Sequence, residues 1–94
     1  MYDLKELGLL ASALVVRKIP FTFEKCLDGW RIIEKQWGVA INYMTMGSAD
    51  GLLELEIWNE SVWNESDGIY GCKTASEIIE ILENKGLFIK KVVM

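Results

Sequence analysis

Histidine is absent from this 94-residue chain. Its absence excludes a Ser-His-Asp triad and a Cys-His dyad, and it removes the commonest protein ligand of metal ions. The two cysteines, Cys26 and Cys72, lie too far apart in the sequence to predict a zinc site. The glycine-containing segment 47–51 is too short for a phosphate loop and is not followed by lysine. We therefore expect neither a metal nor a cofactor.

Lysine and arginine are missing from the middle of the chain, between Lys35 and Lys73. The same stretch carries these acidic residues: Asp50, Glu54, Glu56, Glu60, Glu65 and Asp67. Because the formal net charge is −4, we do not expect binding to nucleic acid through its phosphates. The acidic stretch could attract a basic partner or a cation, or it could be an ordinary solvated surface. The sequence leaves both interpretations open.

The length of the chain predicts one domain, residues 1–94, with a single modest core. A hydrophobic fraction of 51% and a charged fraction of 26% are typical of folded globular proteins. The apolar run at residues 7–16 is too short to span a bilayer, and no positively charged segment precedes it. We therefore expect a cytoplasmic protein with free thiols and no membrane association.

Two helices are predicted from capping patterns. Asp3, followed three residues later by Glu6, is typical of a capping box and precedes apolar residues at helical spacing. Thr74 and Glu77 form a second capping box, which opens a helix predicted to run through Leu82, with Gly86 as the glycine that follows its end. The residues after this glycine, 87–93, could form a final strand or a tail packed on the core.

Strands are predicted where apolar and polar residues alternate: 21–25, 30–35, 39–46, 52–58 and 69–73. Asp28-Gly29 is a hairpin signal between the first two. The sequence therefore predicts an α+β fold, in which an N-terminal and a C-terminal helix pack on one face of a small antiparallel sheet of about four to five strands. An open edge or the exposed face of this sheet could pair with a second copy and give a homodimer.

The stretch "WNESVWNES", residues 58–66, repeats a group of four residue types. Indole rings often anchor interfaces because they bury a large area at low entropic cost. Trp63 could contact a partner, or it could fold back and fix its own loop, and both interpretations remain open. If Trp63 is exposed, the predicted partner-binding surface consists of Trp58, Glu60, Trp63, Glu65 and Asp67.

Two alternatives use other residues. A small-molecule binder would line a pocket with Trp37, Tyr43, Trp58 and Tyr70, whose rings could stack on a nucleobase or a sugar. An enzyme would have to use a thiol or the paired carboxylates of Glu54 and Glu56. These two glutamates lie two positions apart on a predicted strand, but alternating leucine and glutamate is also ordinary strand patterning.

Three segments carry a resemblance to a known group: "PFTFEKCLDGWRI", "GSADGLLELE" and "GCKTASEIIEIL". Over residues 19–84 the chain resembles small uncharacterised proteins from phages and prophages of Gram-positive bacteria. The shared features are turns and a helix cap, so the resemblance implies no catalytic residue. It implies a role in binding: blocking a host defence component, modulating a host enzyme or sequestering a small signal molecule. The predicted function is therefore non-enzymatic binding of a host or phage protein in the host cytoplasm.

Overall fold

The structure is a computed structural model that describes residues 2–58 and 68–87. Its elements are α1 (Lys5–Val16), β1 (Thr22–Cys26), β2 (Gly29–Ile33), β3 (Trp37–Ile41), β4 (Leu53–Ile57), β5 (Ile69–Lys73) and α2 (Ala75–Asn84). A short 3₁₀ turn at Ser48–Asp50 lies between β3 and β4. The strands form one antiparallel sheet in the order β1-β2-β3-β4-β5. The predicted α+β fold is confirmed.

The sheet has two chemically different faces because successive side chains of a strand point to opposite sides. One face carries most of the apolar residues of the strands, and both helices pack on it. This core contains Leu7, Leu10 and Leu14 of α1, Ile32, Trp37, Val39, Ile41, Leu53 and Leu55 of the sheet, and Ala75, Ile78 and Leu82 of α2. Among the described residues no helix packs on the opposite face, which we call the open face.

The first helix begins later than the capping pattern predicts, and its predicted capping box does not form. The N-cap position is Leu4, which makes no side-chain cap. The carboxylate of Asp3 accepts a hydrogen bond from the backbone N–H of Lys5 at 2.9 Å. Glu6 instead accepts a hydrogen bond from the N–H of Ala75 at 2.8 Å, so its carboxylate caps α2 rather than α1.

The hairpin between β1 and β2 is shifted by one residue from the predicted Asp28-Gly29 turn. Its two turn residues are Leu27 and Asp28, while Gly29 already pairs with Cys26 in the sheet. A Cβ atom on Gly29 would lie 1.8 Å from the carbonyl oxygen of Ile41. Glycine is therefore required here for close approach of two backbones, and Leu27 takes the left-handed conformation of the turn, with φ 57°.

The third strand ends at Ile41 and does not continue to residue 46 as predicted. The side chain of Asn42 accepts a hydrogen bond from the N–H of Met44 at 2.8 Å, and the hydroxyl of Thr45 bonds the backbone of Asn42. These local bonds turn the chain away from the sheet. As a result Tyr43, predicted to alternate within the strand, lies exposed in a loop.

The second helix follows its sequence signals closely. The hydroxyl of Thr74 accepts from the N–H of Glu77, and the carboxylate of Glu77 accepts from the N–H of Thr74, which confirms the capping box. Gly86 has φ 71°, as expected for the residue after a helix end.

The predicted strand or tail at 87–93 lies outside the described residues except for Leu87. No helix in the described ranges has the length and apolar character needed to cross a membrane.

Candidate docking site on the open face

A trough runs along β3 on the open face of the sheet. Two rows of paired residues cross this face: Glu24, Arg31, Ala40 and Glu54 form one, and Thr22, Ile33, Gly38 and Glu56 form the other. The floor of the trough is Gly38 and Ala40, which have no long side chains. Arg31 and Ile33 of β2 form one wall, and Glu54 and Glu56 of β4 form the other. The trough is open to solvent and has a volume of about 210 Å³.

Trp58 closes one end of the trough. It follows β4 and lies on the same face as Glu56, two positions earlier. Its indole N–H donates to the carbonyl oxygen of Lys35 at 3.0 Å, and its backbone N–H donates to the carbonyl of Gln36. The ring packs over Gly38, where a Cβ atom would lie 2.9 Å from the indole. Contact with the floor and a hydrogen bond at the ring edge thus hold the half-buried indole in one orientation.

The opposite end of the trough combines apolar side chains with the polar Asn42 and Thr45. Leu27 and Met44 line it, and both side chains are exposed. The loop that carries Met44 is held by the hydrogen bonds of Asn42 and Thr45 and by a bond from the N–H of Tyr43 to the carboxylate of Asp28 at 3.0 Å. The exposed apolar side chains at this end are therefore presented by a loop that is hydrogen-bonded to itself and to Asp28.

The positive charge of the trough is already paired. The guanidinium of Arg31 donates to one carboxylate oxygen of Glu24 at 3.0 and 3.2 Å. This hydrogen bonding raises the pKa of Arg31, so the guanidinium remains charged across the accessible pH range. The pair leaves no net charge on the β1–β2 side of the trough.

The negative charges of the opposite wall are not paired. Within residues 2–58 and 68–87, neither Glu54 nor Glu56 forms an ion pair. Burial raises the pKa of Glu54, and the neighbouring charge of Glu56 raises it further. Glu56 itself is exposed. The trough therefore holds two adjacent carboxylates whose charge no described cation balances.

Most of the predicted partner-binding surface lies outside the described residues. Only Trp58 is described, and it lies at the end of the trough. The other residues of that predicted surface, Glu60, Trp63, Glu65 and Asp67, fall within 59–67, so their part in binding stays a prediction.

The predicted aromatic pocket does not form, because its four residues lie in different places. Trp37 is fully buried in the core beneath the helices. Tyr70 pairs with the core residue Leu55, packs against the same core, and has the ammonium group of Lys85 at 5.9 Å from its ring centroid. Tyr43 is exposed in the loop after β3. Trp58 alone lines the trough, on the opposite face from Trp37.

The sequence patterns singled out Trp58 as a candidate for partner binding and Glu54 and Glu56 as a candidate catalytic pair, but they did not indicate the rest of the trough. Arg31, Gly38 and Ala40 are separated from them in sequence, and only the pairing register brings them together. The signal that could have revealed the trough is the pair of small residues Gly38 and Ala40 at alternate positions of β3, since two small residues on one face leave a depression between longer neighbours. Locating the depression also requires the pairing register of β2, β3 and β4.

The residues of the trough can bind a ligand through electrostatic interactions and packing contacts. No group of three or more histidine, cysteine or acidic residues within the described ranges could hold a metal ion. Both cysteines are free. Two carboxylates beside an indole and a small-residue floor can bind a cation with an apolar stem.

Comparison of the chain with protein-family models, with curated proteins and with solved structures finds no match. The resemblance to phage and prophage proteins therefore stays a prediction.

Proposed function

We propose that this is a non-enzymatic binding protein that engages a protein partner through the open face of its sheet. The observation that carries the proposal is the trough, in which the unpaired carboxylates of Glu54 and Glu56 lie beside the fixed indole of Trp58. A fixed aromatic ring next to uncompensated charge is a common feature of binding surfaces, because partner contacts can satisfy both.

The sequence places further acidic residues directly after Trp58. Trp58 is followed directly by the segment that carries Glu60, Glu65 and Asp67, and no basic residue occurs before Lys73. Negative charge concentrated in one part of the sequence attracts a basic partner and speeds its association. If the protein is encoded by a phage, the partner would be a host or phage protein in the host cytoplasm.

Affinity capture with a charge-reversed trough tests this function. The double variant Glu54→Lys and Glu56→Lys reverses the charge of the β4 wall without touching the core. The matched control, Glu80→Lys and Glu83→Lys, makes the same change of charge on the exposed side of α2. Quantitative mass spectrometry should find a protein captured by the wild type and by the α2 variant, and depleted at least about tenfold from the trough variant.

Two results would contradict the proposal. One is a captured set that is the same for the trough variant as for the wild type. The other is loss of the partner from the α2 variant to the same extent, which would show that total charge rather than the open face governs binding. Circular dichroism of both variants establishes that they are folded.

A further inference from the structure

The geometry points to an arginine side chain of the partner as the ligand of the trough. Its aliphatic stem would lie on the floor formed by Gly38 and Ala40, and its guanidinium would reach Glu54 and Glu56 beside the indole of Trp58. This inference rests on the proposed function and adds the chemistry of the group that the partner must supply.

The size of the trough favours a single side chain. Its volume of about 210 Å³ is below the roughly 300–1,000 Å³ of pockets that hold drug-sized ligands. The backbones of the two walls belong to strands on either side of β3, so they are about 10 Å apart. An α-helix with its side chains is about 10–12 Å wide and would rest on the walls without filling the trough.

The charges favour a cation. Arg31 is held by Glu24, so it does not balance the β4 wall. Glu54 is half-buried and next to Glu56, and an ionised carboxylate in that position is stabilised by an opposite charge nearby. A neutral or anionic ligand would leave both carboxylates without a counter-charge, and the site would then discriminate against it.

Trp58 favours arginine over lysine. A guanidinium group is planar, is less strongly hydrated than an ammonium group, and stacks on aromatic rings. It can also donate to two carboxylates from one side chain, because its five N–H groups point in fixed directions. The β4 wall offers two such carboxylates, from Glu54 and Glu56, on one face of one strand.

A second copy of this chain is a poorer occupant of the open face. Five strands about 4.8 Å apart and about 17 Å long make a face of about 400 Å². A stable protein–protein interface buries about 800 Å² on each partner. A dimer through this face would therefore need contacts beyond the sheet, whereas one projecting side chain of a partner needs only the trough.

The test is a titration of the ¹⁵N-labelled protein with N-acetyl-arginine methylamide, followed by NMR. We expect saturable shifts of the Gly38 amide and of the Trp58 indole N–H. The citrulline analogue, which has the same shape without the charge, should bind about tenfold more weakly, since hydrogen bonds to charged groups are the stronger ones. The lysine analogue should bind more weakly than the arginine analogue.

Two variants assign the binding to the trough. Glu54→Gln with Glu56→Gln removes both charges with little change of shape and should weaken binding of the arginine analogue about tenfold. Glu80→Gln with Glu83→Gln removes the same charge from α2 and should leave the titration unchanged.

Several results would overturn the inference: no saturable shifts with the arginine analogue, equal binding of the citrulline analogue, or full binding by the trough variant. A wild-type dimer that Glu54→Gln with Glu56→Gln dissociates in sedimentation would overturn it as well, because a second copy would then occupy the face.

Failure of the titration alone, with partner capture still dependent on the trough, leaves the proposed function standing and rejects only the arginine ligand. Unchanged capture by the trough variants rejects the proposed function itself.

Discussion

At the scale of single residues, close backbone contact explains a difference between the sequence pattern and the structure. Asp28-Gly29 predicts a turn at those two positions, and local turn chemistry alone would place glycine in the left-handed conformation. Gly29 is instead needed inside the sheet, since any Cβ would overlap the carbonyl of Ile41. Leu27 therefore adopts the positive φ that glycine would otherwise take. A contact between residues distant in sequence cannot be seen in a local motif.

Gly29→Ala should be strongly destabilising. The new Cβ would meet the carbonyl of Ile41, a backbone atom that cannot move without distorting the sheet. We expect a loss of about 3 kcal/mol in the free energy of unfolding, measured by urea denaturation. Gly8→Ala is the control: nothing lies within 4 Å of its Cβ position in the helix, so the change should stabilise by about 0.5–1 kcal/mol. Similar effects of the two changes would contradict the role of close approach at Gly29.

Glu54 makes stability depend on pH in a defined direction. Burial, and then the charge of Glu56, raises its pKa above the ordinary value of 4.5, so the folded state binds this proton more tightly than the unfolded state. The ionised carboxylate therefore destabilises the fold as the pH rises through 4.5 and above. Thermal unfolding should show Glu54→Gln gaining stability relative to the wild type between pH 4 and pH 7. A difference in stability between Glu54→Gln and the wild type that is the same at pH 4 and pH 7 would contradict this effect of Glu54.

At the scale of the elements, the start of α2 depends on two carboxylates from different parts of the chain. Glu77 completes the capping box with Thr74, as the local sequence predicts. Glu6 accepts from the N–H of Ala75, the first residue of the helix, whose N–H has no acceptor within the helix. Both negative charges also lie near the positive end of the helix dipole. Glu6 thus joins the two helices through one hydrogen bond.

Glu6→Ala should destabilise more than Thr74→Ala. The first removes a charge-assisted hydrogen bond and exposes a partly buried N–H, at a cost of about 1.5–3 kcal/mol. The second removes one neutral cap, at about 1 kcal/mol. Glu80→Ala, on the exposed side of the same helix, should change the free energy of unfolding by no more than about 0.5 kcal/mol. Urea denaturation measures all three, and a Glu6→Ala effect as small as that of Glu80→Ala would contradict the cap.

The elements themselves were largely predictable because they depend on local patterns. The strand at 69–73 and the start of α2 agree with the structure, since alternation and a capping box are short-range signals. The predicted third strand extended too far, to residue 46. Apolar and polar residues continue to alternate after Ile41, and this alternation does not reveal the hydrogen bonds that Asn42 and Thr45 make within the loop. The partner of Glu6 was not predictable either, since Ala75 lies at the other end of the chain.

At the scale of the whole molecule, the two helices cover one side of a single sheet, and within residues 2–58 and 68–87 no helix covers the other side. The apolar face is used for the core, and the open face carries the trough along β3. The two-sided character of the sheet follows from alternation and was predictable. The trough was not, because it needs the register of β2, β3 and β4 and the small size of Gly38 and Ala40 in the central strand.

Site-directed photo-crosslinking tests most directly whether the partner lies on the open face. The photoreactive residue p-benzoylphenylalanine would replace Thr22, an exposed residue in the same row as Gly38 and Glu56, or Ser76, an exposed residue of α2. In the cells that naturally contain the protein, we predict a covalent adduct of defined mass from position 22, abolished by Glu54→Lys with Glu56→Lys, and none from position 76. An adduct from position 76 in equal yield, or one from position 22 that survives reversal of the trough charge, would contradict the account.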